Sequence, residues 1–293
     1  MKIKMYPDSI QNVFQLDIPE KHKVPVVLDS PHSGTIYPES FGSLTPLAIL
    51  RRAEDMYVDE LYDSAPGHGM PFLKALFPRC FIDANRAEED LDPTMIEGVW
   101  EKPLNPGRKT ELGIGLIWTK SPPDGEPMYD RKLSIKEVTD RITLYHRPYH
   151  KALKQIIDST LQEFGSVWHI DCHSMPGISN ELSPEGPGVQ RPDFNLGDRD
   201  GTTCSPDFTA FCKERLERLG YGVTINEPFK GMELVRRYGI PKQNMNSLQI
   251  EISRAIYMDE FSFEKKSQFF QLQKDLGVFL SELSHWANMK LGS

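Results

Sequence analysis

Five short runs rich in β-branched residues constrain the fold most: Val24 to Ser30, Cys80 to Asn85, Ser166 to Cys172, Tyr221 to Glu227 and Leu248 to Ser253. Each has strand length. Most are apolar enough to be buried on both faces, which suits a parallel sheet covered by helices. Helical patterns separate the runs. Thr45 and Pro46 suit the cap and first position of a helix whose apolar residues recur at Leu47, Leu50, Tyr57 and Leu61. Ser134 and Glu137 have the spacing of a capping box. They precede an apolar stripe through Ile135, Val138, Ile142 and Tyr145, which Pro148 is expected to kink or break before Ala152 to Phe164 resume it. Ser205-Pro206 opens a further helix closed by Gly220, and Phe263 to Trp286 reads as a long amphipathic helix. The alternation predicts an α/β fold, with a mostly parallel or mixed central sheet and helices on both faces.

No internal repeat or low-complexity tract interrupts the chain, so residues 1–293 read as one domain. A long inserted loop at about 87–130 is rich in Pro and Gly, including Pro93, Gly113, Gly115 and Pro122. Such ordered loops often form or cover a site. With 34 Lys+Arg against 42 Asp+Glu, the net charge of −8 argues against nucleic acid as the main partner. The 39% apolar content implies a sizeable core. No apolar run approaches the roughly 18 residues of a membrane span. Tyr6, Pro7 and Asp8 fall where a signal peptide would be apolar, so a cytoplasmic protein without a membrane partner is expected. Cys80, Cys172, Cys204 and Cys212 lack a CxxC pair and read as small buried hydrophobes.

Polar residues gather where these strands are expected to end. Val26 to Ser30 runs into Pro31-His32-Ser33-Gly34, Phe81-Ile82-Asp83 into Asn85-Arg86, and Trp168 to Asp171 into His173-Ser174. Open α/β sheets bind ligands at the carboxyl ends of their strands. Two histidines and a carboxylate match a catalytic zinc site with one position left to water. His32 and His173 are the histidine candidates. For the carboxylate, the segment after Pro46 offers Glu54, Asp55 and Asp59, of which Asp55 and Asp59 share a helix face. His22, His68 and His285 read as surface residues, His146 and His150 as packing supports near the kink, and His169 as core or as a neighbour of the site. Glu251, flanked by Ile250 and Ile252, is expensive to bury unpaired. It is either a salt-bridge partner of a base such as Arg254 or a general base beside a cation. Arg86 is either an ion-pair partner or a planar clamp for a carboxylate or oxyanion. Gly113-Ile114-Gly115 lacks a dinucleotide-loop context, and no G-x-S-x-G surrounds Ser33 or Ser174.

Taken together, these residues resemble the N-formylglutamate amidohydrolases, within the wider zinc carboxypeptidase-like and aspartoacylase-like hydrolases. The resemblance runs from about Val24 to Tyr257. Its carriers are SPHSG at Ser30 to Gly34, EDMYVDELY at Glu54 to Tyr62, DANR at Asp83 to Arg86, RPYH at Arg147 to His150 and DCHS at Asp171 to Ser174. RPDFNLGDRDG at Arg191 to Gly201, FKG and RRYG around Phe229 to Gly239, and QIEISRAIYM at Gln249 to Met258 complete the series.

The resemblance implies a zinc-carboxypeptidase-like fold and one Zn2+ held by His32, Asp55 and His173, with Glu251 as general base and acid. The H-x-x-E of carboxypeptidases is absent, since Thr35 stands three residues after His32. It further implies substrate binding by Asn85, Arg86, Asn195 and Arg236, the arginines being candidates for the substrate's carboxylates. The implied reaction is hydrolysis of the amide of N-formyl-L-glutamate, or of a close N-acyl amino acid, as in the last step of one histidine degradation route. Met232-Glu233 departs from the family pattern after FKG, where an acid facing the site would repel a dicarboxylate. The competing expectations are a deacylase or carboxypeptidase for another N-acyl amino acid or small peptide, and a catalytically silent ligand-binding module on the same scaffold.

Overall fold

The computed structural model describes residues 6–20, 23–121, 124–181, 183 and 185–291. His22 and Pro122, named above, lie outside them. Seven strands form the central sheet: β1 (Phe14–Asp17), β2 (Val26–Ser30), β3 (Phe72–Ala75), β4 (Val167–Met175), β5 (Phe194–Gly197), β6 (Val223–Ile225) and β7 (Met245–Ser253). Their order is β1-β3-β2-β4-β7-β5-β6. The inner run β3-β2-β4-β7 is parallel, and antiparallel pairs join β1 to β3 and β7 to β5, so the sheet is mixed, as expected. Pro25, which has no N–H to donate, immediately precedes β2.

Helices cover both faces. On one lie α1 (Ile135–Arg141) and α2 (Arg147–Phe164), whose Val138, Leu153, Ile156 and Ile157 share a core with Val27 and Leu73. On the other, α3 (Pro206–Arg218) and the long C-terminal helix α5 (Gln268–Leu291) pack on Val26, Leu28, Ile170, Cys172, Leu248, Ile250 and Ile252. A short helix, α4 (Glu233–Tyr238), lies against β7. Because side chains alternate along a strand, the even-numbered residues of β4 and β7 meet the second core. The odd ones, His169, Asp171 and His173 with Ser247, Gln249 and Glu251, share the opposite face. The strands are thus buried on both sides yet polar on one, and the site grows from that polar face.

Several expectations need correction. Cys80–Asn85 is a buried series of turns, not a strand. Its backbone is satisfied elsewhere: Asp83 N donates to Leu116 O and Asn85 N to the Asp83 carboxylate, an Asx-type turn that an apolar run does not reveal. Pro46, not Thr45, occupies the N-cap position, and the helix after it breaks into Leu47–Leu50, a 3-10 turn at Arg51–Ala53 and Val58–Leu61. Asp55 therefore sits in an irregular link, ahead of Tyr57 at φ 66°, and not on a helix face shared with Asp59. The capping box at Ser134 is present. Pro148 does not interrupt the helix there; a π-helical turn at Ile142–His146 joins α1 to α2 and accommodates the missing N–H. Strands β1, β3 and β5 are four residues each with few β-branched side chains, which is why the pattern misses them. All four cysteines are buried and free, and no described helix is long and apolar enough to cross a membrane.

Candidate active site

Strands β2, β4 and β7 run parallel side by side, so their carboxyl ends deliver side chains to one edge of the sheet. His32 follows β2, His173 lies near the end of β4, and Glu251 pairs in register with His173 on β7. The turn after β2 is tight: a Cβ on Gly34 would meet the Phe77 carbonyl oxygen at 2.2 Å, which explains the glycine of SPHSG. Asp55 N donates to His32 O, bringing the broken helix to the same place.

His32, Asp55 and His173 form one buried cluster whose potential ligand atoms lie within 4.8 Å of one another. Asp55 Oδ2 is 2.8 Å from His173 Nδ1 and 3.4 Å from His32 Nδ1. Tetrahedral ligands bonded at about 2.0–2.1 Å stand roughly 3.3 Å apart, so these spacings fit a small divalent cation. The remote nitrogens are held from behind. His32 Nε2 is 2.7 Å from Asp83 Oδ1, and His173 Nε2 is 2.8 Å from Asp171 Oδ1 and 3.0 Å from Asn85 Nδ2. Carboxylates in that position fix a ligand imidazole and raise its basicity. His32 Nδ1 is buried with no hydrogen-bond partner among the described residues, as a nitrogen reserved for a cation would be. Three buried N and O donors therefore fit such an ion.

The electrostatics agree. Burial would raise the Asp55 carboxyl, but the hydrogen bond with His173 and the neighbouring Arg79 and His32 hold it well below the usual carboxylate range. Burial disfavours the His173 imidazolium, yet Asp171, Asp55 and Glu251 hold its pKa well above the ordinary value, so a cation entering the cluster displaces a proton. Arg254 donates to Asp55 Oδ1 at 3.0 Å and to Ser174 Oγ, so the alternative partnership of Arg254 with Glu251 is not formed. Glu251 instead accepts one hydrogen bond, from Gln249 Nε2 at 2.8 Å. Burial, with the nearby Asp55 and Asp171, pushes its carboxyl up to about 7 against the pull of His173 and Arg79.

These groups open onto a cavity of about 660 Å³ lined by His32, His173, Glu251, Asn85 and Arg86, among others. Arg86 is buried; its Nη1 donates to Asn85 O and its Nε to Ile114 O, while Nη2 lies 4.0 Å from Asp83. Asn85 Oδ1 accepts from Leu234 N, tying the turn to α4. His146 and His150 bond the carbonyls of Arg86 and Ala84, so the π-helical turn and the start of α2 brace the Asn85-Arg86 segment from below. His169 bonds Asp29 and Ser247 deeper in the sheet, whereas His285 is exposed.

Two further sequence candidates do not line the cavity. Arg236 is 57% exposed and paired with Glu233, and Asn195 is buried beneath the wall, accepting from Phe229 N and donating to Thr224. Of the other carboxylates weighed as ligands, Glu54 turns to Tyr37 and Arg51, and Asp59 stands outside the cluster. Glu233 is neutralised by Arg236 and Arg237 away from the cavity, which answers the repulsion expected from the Met232-Glu233 departure. The pattern missed Arg79, which bridges Asp83 and Asp55, and Lys109 of the inserted loop. Nothing in their spacing marks them; only the fold brings them in.

A buried acid-base group beside a possible metal triad, at the carboxyl edge of a mixed α/β sheet, is the layout of a hydrolytic enzyme. The N-formylglutamate amidohydrolase family model matches residues 24–258. N-formylglutamate deformylases of Pseudomonas aeruginosa and Pseudomonas putida are 30% and 29% identical to the chain, covering 82% and 81% of it and 85% and 83% of their own lengths. The crystal structure of an N-formylglutamate amidohydrolase from Ralstonia eutropha JMP134 superposes with a TM-score of 0.89 at 43% identity, covering 95% of this chain and 99% of that one. A gene product of Agrobacterium tumefaciens shares the fold, with a TM-score of 0.67 at 17% identity over 96% of each chain. The chain belongs to the N-formylglutamate amidohydrolase family and is a hydrolase acting on an amide.

Proposed function

We propose that the chain hydrolyses the formyl amide of N-formyl-L-glutamate to formate and glutamate, using one Zn2+ held by His32, Asp55 and His173. The observation that carries this reading is the convergence of the His-Asp-His cluster and an otherwise unpaired Glu251 on one cation-lined cavity. The names of its relatives supply the substrate. When bound, zinc supplies Lewis acidity that polarises the acyl oxygen and acidifies water.

The chain's own residues do the rest. Glu251 Oε takes a proton from the attacking water as its oxygen bonds to the formyl carbon, and later delivers it to the amide nitrogen as the C–N bond breaks. Without a cation burial pushes this carboxyl up to about 7, and a bound cation lowers it from there, so at neutral pH it enters the first transfer as the carboxylate. Gln249 holds one carboxylate oxygen and leaves the other toward the cavity. Arg86 Nη2, which makes no hydrogen bond among the described residues and lies 4.0 Å from Asp83, stabilises negative charge on the substrate. Asp83 and Asp171 keep both imidazoles oriented. Arg236 and Asn195 act indirectly: the former neutralises Glu233 at the start of α4, the latter anchors the Phe229 wall.

The test is glutamate release from N-formyl-L-glutamate by zinc-loaded protein beside a panel of N-acetyl and N-succinyl amino acids. Preference for the formyl compound supports the reading; preference for another acyl group replaces it with a different deacylase.

A further inference from the structure

The cavity's charge is unlike that of the chain. Among the described residues lining it, nine are Arg or Lys and two are Glu, in a protein whose net charge is −8. A cleft so biased concentrates anions. Most of its cations are already answered. Six, Arg79, Arg86 and Arg254 among them, form ion pairs with carboxylates, and Arg199 donates to a backbone carbonyl. The side chains of two have neither hydrogen bond nor ion pair among the described residues: Arg52, whose Nε is buried, and Lys109.

Lys109 has the better placement for substrate. It comes from the inserted loop, on a turn pinned to the wall beside Arg86. Asp90 accepts from Gly107 N and Thr110 Oγ1, Leu116 N donates to Asp90 O, and Ile114, which follows Lys109 in the same turn, accepts from Arg86. The pinned turn fixes where the lysine's backbone stands, so only its side chain has to order when an anion binds. It shares the cavity wall with Arg86, Arg79 and Arg191; burial and the charge of those arginines, partly offset by Asp83, push its ammonium down to about 8. An unanswered cation under such repulsion gains when an anion enters.

We propose that Lys109 binds the side-chain carboxylate of the N-acyl amino acid and thereby selects acidic over neutral substrates. This rests on the reading of the cavity as the N-formyl amino acid site. The α-carboxylate stands on the carbon that bears the scissile nitrogen, so it lies beside the reacting centre, within reach of Arg86. The side-chain carboxylate stands further from the reacting centre, and Lys109, on the wall of the same cavity, is a cation left to meet it.

The experiment compares wild type, Lys109→Met and Lys109→Arg on N-formyl-L-glutamate and its neutral isostere N-formyl-L-glutamine. Loss of one charge-assisted contact predicts a fall of about 10- to 100-fold in kcat/KM for formylglutamate in Lys109→Met, carried by KM. The glutamine compound should change less than about twofold, and Lys109→Arg should restore part of the loss. Equal losses on both compounds, or none on either, overturn the proposal. Calorimetric binding of glutarate against butyrate separates the two readings. If wild type turns over neither formyl compound, the reaction is wrong, yet a glutarate preference lost in Lys109→Met still upholds the lysine, and one retained refutes it.

Discussion

Replacing Glu251 with glutamine should make the metal-free protein more stable while destroying its activity. The folded chain raises this carboxyl from 4.5 to about 7, chiefly by burial. Below the unfolded pKa the group is neutral in both states and costs nothing. As pH rises, the unfolded chain ionises first and the folded chain retains its proton, so stability drains away until the pH passes the folded value. The gap between the two values corresponds to about 3 kcal/mol of lost stability at pH 8 and about 1 kcal/mol at pH 5. Glutamine cannot ionise, and its amide oxygen still accepts the hydrogen bond that Gln249 now gives Glu251 at 2.8 Å. Urea denaturation of chelator-treated wild type and Glu251→Gln at both pH values measures the difference. The variant should gain at both, and more at pH 8. A destabilised variant, or a gain that does not depend on pH, refutes the claim that a buried, poorly compensated carboxylate is kept for chemistry.

Other outcomes follow from the same geometry. Asp83→Asn removes the carboxylate behind His32 and should weaken zinc affinity by about 10- to 100-fold, read by chelator competition; unchanged affinity would falsify its role in orienting the ligand. Arg86→Ala should lower kcat/KM by about 100- to 1000-fold with zinc content unchanged, and a wild-type kcat/KM removes the residue from the mechanism. The kcat/KM of the zinc enzyme should fall as pH drops through a value at or below about 7, because Glu251 acts as the carboxylate and a nearby cation can only lower its pKa. A profile flat to pH 5 is incompatible with that base.

Much of this was legible in the sequence because periodicity and chemistry coincide there. The alternation in Gln249-Ile250-Glu251-Ile252 and in His169-Ile170-Asp171-Cys172-His173 marks strands with one apolar and one polar buried face, and that polar face carries the site. The His32 turn is equally visible, since polar residues directly follow an apolar strand. Asp55 was legible as a candidate but not as geometry: Tyr57 in a left-handed conformation breaks the helix that the spacing implies. The Cys80 to Asn85 segment is apolar enough for a strand, yet the Asp83 side chain and the inserted loop take its hydrogen bonds. Arg236 illustrates the opposite limit. Its motif is right, but the side chain points to solvent and serves Glu233, and only tertiary contacts distinguish it from Lys109, which carries no motif.

The central claim is amide hydrolysis that needs both a cation on His32, Asp55 and His173 and the carboxylate of Glu251. The most direct measurement is stoichiometric formate and glutamate release from N-formyl-L-glutamate by zinc-loaded wild type, chelated wild type and zinc-loaded Glu251→Gln. The account predicts turnover by the first alone, with full zinc occupancy in the variant. Undiminished turnover after chelation, or by the variant, would contradict it.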